Sequence, residues 1–134
     1  METCSVPHVS DASTPHAFRG RHVLVLEDEP IIAIDIELEL EDAGATVARA
    51  ETLAEARDAA AARLPDAAVL DYSLMSNKNS ESIAELLDGE GVPYVFYSGD
   101  LDRHGEAINR FGRPVVAKPA AAADVLEALA KLLR

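Results

Sequence analysis

The chain of 134 residues has no tryptophan, one cysteine, and only three tyrosines and three phenylalanines. Its core must therefore be aliphatic, built from the Val, Leu, Ile and Ala that dominate an apolar fraction of 49%. The lone Cys4 excludes an intramolecular disulfide and suits a reducing compartment, so a cytoplasmic location is expected. Basic residues are scarce as well: 12 Lys plus Arg face 24 Asp plus Glu, a net charge of −12. Nucleic acid and anionic lipid repel such a chain, which argues against direct nucleic-acid binding. No apolar run reaches the roughly 18 residues of a membrane-spanning helix, so membrane insertion is not expected. The start, Met1-Glu2-Thr3-Cys4-Ser5, lacks the basic and apolar regions of a secretory signal.

What remains fits one domain with a proper core. Residues 1–20 carry scattered Ser, Thr, Pro and His without periodicity and read as a flexible leader, leaving 21–134 as the folded domain. From Arg21 onward, β and α patterns alternate. Strands are predicted at 22–26, 45–49, 67–71, 93–97 and 114–117, and helices at 30–43, 52–63, 79–88, 103–110 and 121–133. Five β-α units of this size predict an α/β fold: a doubly wound, parallel five-stranded sheet covered by helices on both faces.

One segment carries a conflicting signal. Ile34-Asp35-Ile36-Glu37-Leu38-Glu39-Leu40 alternates like a strand. Pro30 suits a first helical turn and Gly44 a helix end, and the segment must cross back between parallel strands, so a helix is predicted. As a helix it bears two apolar stripes, Ile32-Ile36-Leu40-Ala43 and, roughly opposite, Ile31-Ile34-Leu38. One must face the sheet. The other is either partly covered by neighbouring side chains or an exposed partner surface.

Four segments place polar residues at or just past the ends of apolar runs: Glu27-Asp28-Glu29 after Val23–Leu26, Asp71 after Ala67–Leu70, Ser98 after Val95–Tyr97, and Lys118-Pro119 after Val115–Ala117. The carboxyl ends of parallel strands share one edge, so these residues are expected to converge there. Carboxylates, a hydroxyl and a lysine in one crevice suit a divalent metal and a phosphoryl group. The mutual repulsion of the acids at 27–29 calls for a cation.

The ordered set Glu27-Asp28, Asp71, Ser98 and Lys118-Pro119 resembles the receiver domain of two-component response regulators, from about Arg21 to Arg134. The stretch Val92-Pro93-Tyr94-Val95-Phe96-Tyr97-Ser98-Gly99 resembles a mostly stand-alone subgroup that usually carries Phe-Ala-Thr-Gly, and Pro30–Glu37 fits the same subgroup. The resemblance implies a flavodoxin-like receiver fold and assigns roles. Asp71 would accept the phosphoryl group. Asp28 would bind Mg²⁺ directly, with Asp71 and a backbone carbonyl at about Ser73, and Glu27 would act through a water. Lys118 would offset a phosphoryl oxygen, with Pro119 cis, and Ser98 would be the switch hydroxyl. Glu29 is expected as a solvated acid at a helix start.

Some positions depart from the family pattern. Val115 or a neighbour stands for the usual aromatic of the fifth strand, Ala120 replaces the phenylalanine common after Lys-Pro, and the 72–80 loop lacks its usual glycine. The fourth helix looks short, polar and only partly folded.

With no segment after the fifth helix and a short leader, the expected protein is a receiver without an output domain. Its expected partners are a sensor histidine kinase or a histidine phosphotransfer protein, docking through the first helix, and a downstream protein target. Homodimerisation through the fourth and fifth helices is left open. The alternative is a receiver-fold binding module that works without phosphorylation. An Asp-nucleophile phosphatase is disfavoured because Ser73 stands where such an enzyme needs its second acid. True enzymatic turnover is thus not expected.

Overall fold

The computed structural model describes residues 13–133. Alternating apolar runs build β1 (His22–Leu26), β2 (Thr46–Ala50), β3 (Ala67–Leu70), β6 (Tyr94–Ser98) and β7 (Val115–Ala117) into one sheet of order β2-β1-β3-β6-β7. Every pairing within it is parallel. The connections are α2 (Pro30–Asp42), α3 (Leu53–Ala62), α4 (Glu81–Gly89) and α5 (Leu101–Asn109), and α6 (Ala122–Leu132) follows the last strand. This is the flavodoxin-like receiver fold, doubly wound as the alternation of apolar runs implies.

The pleat sorts the core into two layers. Val23, Val25, Val69, Val95 and Tyr97 face α2 and α6, against Ile36, Leu40, Val125 and Leu129. Leu24, Leu26, Leu70, Tyr94 and Phe96 face the other way, against Ala56 of α3, Ile83 and Leu87 of α4 and Ile108 of α5. β1 and β3 are buried on both faces, which is why their sequences read as continuous apolar runs rather than alternating ones.

The ambiguous segment is helical. Pro30 opens α2, and Gly44 just past its end takes φ +94°, where a Cβ would sit 3.2 Å from the Arg19 Cα. Ile36, Leu40 and Ala43 are buried, while Ile31 is 83%, Ile34 41% and Leu38 58% exposed. The second stripe thus faces outward.

Three elements differ from expectation. The leader was expected to run to residue 20, yet Ser13–Phe18 forms a helix, α1, that packs on α6. Phe18 is fully buried among Val125, Leu129 and their neighbours, so the folded domain begins before Arg21. One aromatic ring outweighs the polar composition around it. Residues 1–12 of the expected leader lie outside the described residues. The 72–80 segment contains a small antiparallel hairpin, β4 (Ser73–Leu74) with β5 (Lys78–Asn79). Ser76 and Asn77 take φ +63° and +58° at its tip, the left-handed pair that a tight hairpin turn requires and that glycine usually supplies. α5 starts at Leu101, two residues before the expected 103, and is pinned by buried Ile108 and by Phe111, whose ring is tilted against that of Phe96 at 5.6 Å. The expectation of partial unfolding there is not met.

Candidate functional site

Strand register assembles the site. Leu26 pairs with Leu70, and Ser98 with Ala117. One residue further along lie Glu27, Asp71 and Lys118, at the same edge. They meet at a crevice of about 220 Å³ lined by Asp28, Glu29, Asp71, Ser73, Ser98 and Lys118, with Gly99 and Asp100 at its rim. All the residues expected from the sequence are therefore brought together. The Lys118–Pro119 peptide is cis, as the resemblance implied.

Burial gives the crevice its electrostatics. Glu27, Asp71 and Ser98 are 1%, 5% and 1% exposed. The Lys118 Nζ lies 2.9 Å from Glu27 Oε1, 3.2 Å from Asp71 Oδ2 and 3.4 Å from Glu29 Oε1. The Glu29 backbone N–H donates to Glu27 Oε2 at 3.1 Å, fixing the buried carboxylate. Burial, and then the negative charge of Glu27, push the Asp71 carboxyl up to about 7, against the pull of Lys118. Burial alone would lower the Lys118 ammonium, but its hydrogen bond to Glu27 and the charge of Asp71 outweigh that and raise it.

One ammonium thus serves several acids. Oxygens of Glu27, Asp28 and Asp71 lie within 4.8 Å of one another, a carboxylate donor set that fits a hard divalent cation. Ser73, half-buried, lines the same crevice. Ser98 is tied to the lysine through the main chain, its carbonyl accepting from the Lys118 N–H at 2.9 Å.

Several features were not legible. Glu27 is paired directly with Lys118, a contact with no signal in the sequence. Glu29, though exposed as expected, also leans toward that lysine. The Tyr72 hydroxyl donates to Glu81, which pairs with Arg110 at 2.9 Å, tying the segment after Asp71 to α4 and α5. The His104 ring lies 5.1 Å from the Tyr72 ring. His22 is buried at the start of β1 with its Nδ1 2.8 Å from Thr46 Oγ1. Such cross-strand contacts link residues far apart in sequence and leave no local pattern.

No family model and no curated protein matches the sequence. Solved structures do. SdrG from Sphingomonas melonis Fr1 is 33% identical with a TM-score of 0.68, the match covering 84% of this chain and 96% of that one. The PhyR stress response regulator is 28% identical with a TM-score of 0.72; the match covers 93% of this chain but 50% of that protein, so the chain spans about half its length. A response regulator receiver protein from Sinorhizobium medicae WSM419, 23% identical over 84% of this chain and 94% of that one, shares the fold with a TM-score of 0.74.

Proposed function

Since the chain belongs to the receiver domains of response regulators, we propose that it is a phosphoacceptor whose Asp71 takes a phosphoryl group from a sensor histidine kinase or histidine phosphotransfer protein. The observation that carries this reading is the buried Asp71 held 3.2 Å from Lys118 in an acidic crevice open to solvent.

The chemistry follows from the geometry. An Asp71 oxygen attacks phosphorus, the bond from phosphorus to the donor atom breaks, and the donor leaves with that electron pair. Burial alone would keep Asp71 protonated near neutrality, so Lys118 is needed to favour the ionised nucleophile. As the acyl phosphate forms, the Lys118 amine moves from the carboxylate to a phosphoryl oxygen, and the Ser98 hydroxyl donates to another. Glu27, Asp28, Asp71 and the Ser73 carbonyl would hold Mg²⁺, which supplies neutralisation of phosphoryl charge. Ser98 adjoins Gly99 and the start of α5, so its inward swing would bias the 99–113 segment between two arrangements.

The donor protein would dock on α2. Its exposed Ile31, Ile34 and Leu38 border an apolar groove of about 340 Å³ whose far wall includes Tyr97, Ala120 and Ala122, next to the phosphorylation crevice. The receiver would pass its signal on through protein contacts of the same kind, in a cytoplasmic setting.

Intact mass after incubation with acetyl phosphate and Mg²⁺ tests the reading. A single labile phosphate is expected, absent with chelator and absent in Asp71→Asn. A folded protein that takes no phosphate from this donor or from a purified kinase would leave a phosphorylation-independent binding module in its place.

A further inference from the structure

Tyr97 is the β6 residue just before Ser98, 4% exposed, and it turns away from the crevice toward α2 and α6. Its hydroxyl makes two hydrogen bonds to one residue: it donates to the Ala120 carbonyl at 2.9 Å and accepts from the Ala120 N–H at 3.0 Å. A buried phenol that satisfies both backbone groups of one residue fixes that peptide segment in place.

Ala120 lies two residues after Lys118. Between β7 and α6 the chain is otherwise tied back to the sheet by the Lys118 N–H on the Ser98 carbonyl. Pro119 has no N–H to offer. The Tyr97 ring also lies under the lysine, with Nζ 5.4 Å from its centroid, inside cation–π range. A single side chain therefore touches Lys118 at its charged end and anchors the backbone just beyond it. Tyr97 stands where the resembling motif has its alanine, and Ala120 where a phenylalanine is common, so the two departures meet in space. The aromatic bulk is supplied from the strand instead of from the turn.

We propose that Tyr97 is the positioning residue for Lys118: its hydroxyl clamp on Ala120 and its ring beneath the ammonium hold the amine between Glu27 and Asp71. The effect on phosphorylation rests on the function proposed above; the placement of the lysine does not.

The test is Tyr97→Phe in the full chain, which deletes one oxygen and both hydrogen bonds and keeps the ring. Tyr97→Leu, which removes the ring as well, is the second variant, with folding of each checked by circular dichroism. The first readout is amine labelling by reductive methylation, mapped by mass at Lys78, Lys118 and Lys131. Lys118 labelling relative to Lys131 should rise about fivefold in Tyr97→Phe, the equivalent of one net hydrogen bond, and further in Tyr97→Leu. The second readout is the limiting rate of phosphorylation by acetyl phosphate. It should fall by a similar factor with Mg²⁺ affinity unchanged, and Tyr97→Phe should add no further loss in a Lys118→Gln background. Unchanged Lys118 labelling in both variants, or rate losses that add in the double variant, would overturn the assignment. Failure of the parent protein to phosphorylate while Lys118 labelling still responds would instead count against the phosphoacceptor reading alone.

Discussion

Replacing Asp71 by Asn should stabilise the metal-free protein, and by an amount that depends on pH. In the folded chain the Asp71 carboxyl is raised from 3.8 to about 7, first by burial and then by the neighbouring Glu27 charge. Between those values the folded state holds a proton that the unfolded state has released. This group's contribution to stability is therefore full below about pH 4, falls as pH rises, and levels off above about pH 7. Each pKa unit is about 1.4 kcal/mol, so the full descent is at most about 4 kcal/mol, and relaxation around Lys118 brings the expected value to roughly 2–4 kcal/mol. Asn cannot ionise and escapes the descent. In chelator at pH 8, Asp71→Asn should melt about 6–12 °C higher than the parent protein, given about 3 °C per kcal/mol for a chain of this size. At pH 5 the gap should shrink by more than half. Thermal melts at the two pH values measure both gaps, and urea titrations the underlying free energies. A variant no more stable than its parent at pH 8, or a gap independent of pH, would refute the argument that Asp71 is ionised at a cost.

Other outcomes follow from packing and exposure. Phe18→Ala should lose about 3–5 kcal/mol in urea unfolding, because Phe18 is fully buried between α1 and α6; a loss under 1 kcal/mol would return the domain boundary to residue 21. Ile34→Asp together with Leu38→Lys should leave stability within about 1 kcal/mol, since both side chains lie on the outward face of α2, 41% and 58% exposed. The same pair should abolish transfer from a cognate phosphodonor protein while sparing transfer from acetyl phosphate, as measured by phosphate incorporation.

The strands were legible within a residue because most are runs of apolar β-formers stopped by a charged or turn residue, as Leu26 is by Glu27 and Leu70 by Asp71. Helix α2 could be recovered despite its alternating pattern because Pro30 and Gly44 mark its ends, but which stripe faced the sheet needed three dimensions. The site residues were legible because parallel strands bring their carboxyl ends to one edge. Their mutual contacts were not: the Glu27–Lys118 ion pair reaches across two intervening strands, β3 and β6, and the Tyr97 hydroxyl meets Ala120 across a turn. The β4–β5 hairpin was invisible because two-residue strands are too short to show a period and its tip uses Ser76-Asn77 instead of glycine. Helix α1 was missed because one buried ring, Phe18, holds a segment whose composition otherwise reads as solvated.

The central claim is that Asp71 carries the phosphoryl group, and the most direct measurement is to trap it. Borohydride reduces an acyl phosphate to the alcohol, turning a phosphorylated aspartate into homoserine that peptide mass mapping can locate. After treatment with acetyl phosphate and Mg²⁺, homoserine is predicted at position 71 alone, and in none of the acids of the 27–29 cluster. Homoserine at Asp28, or no reducible group in a protein shown to be folded, would contradict the account.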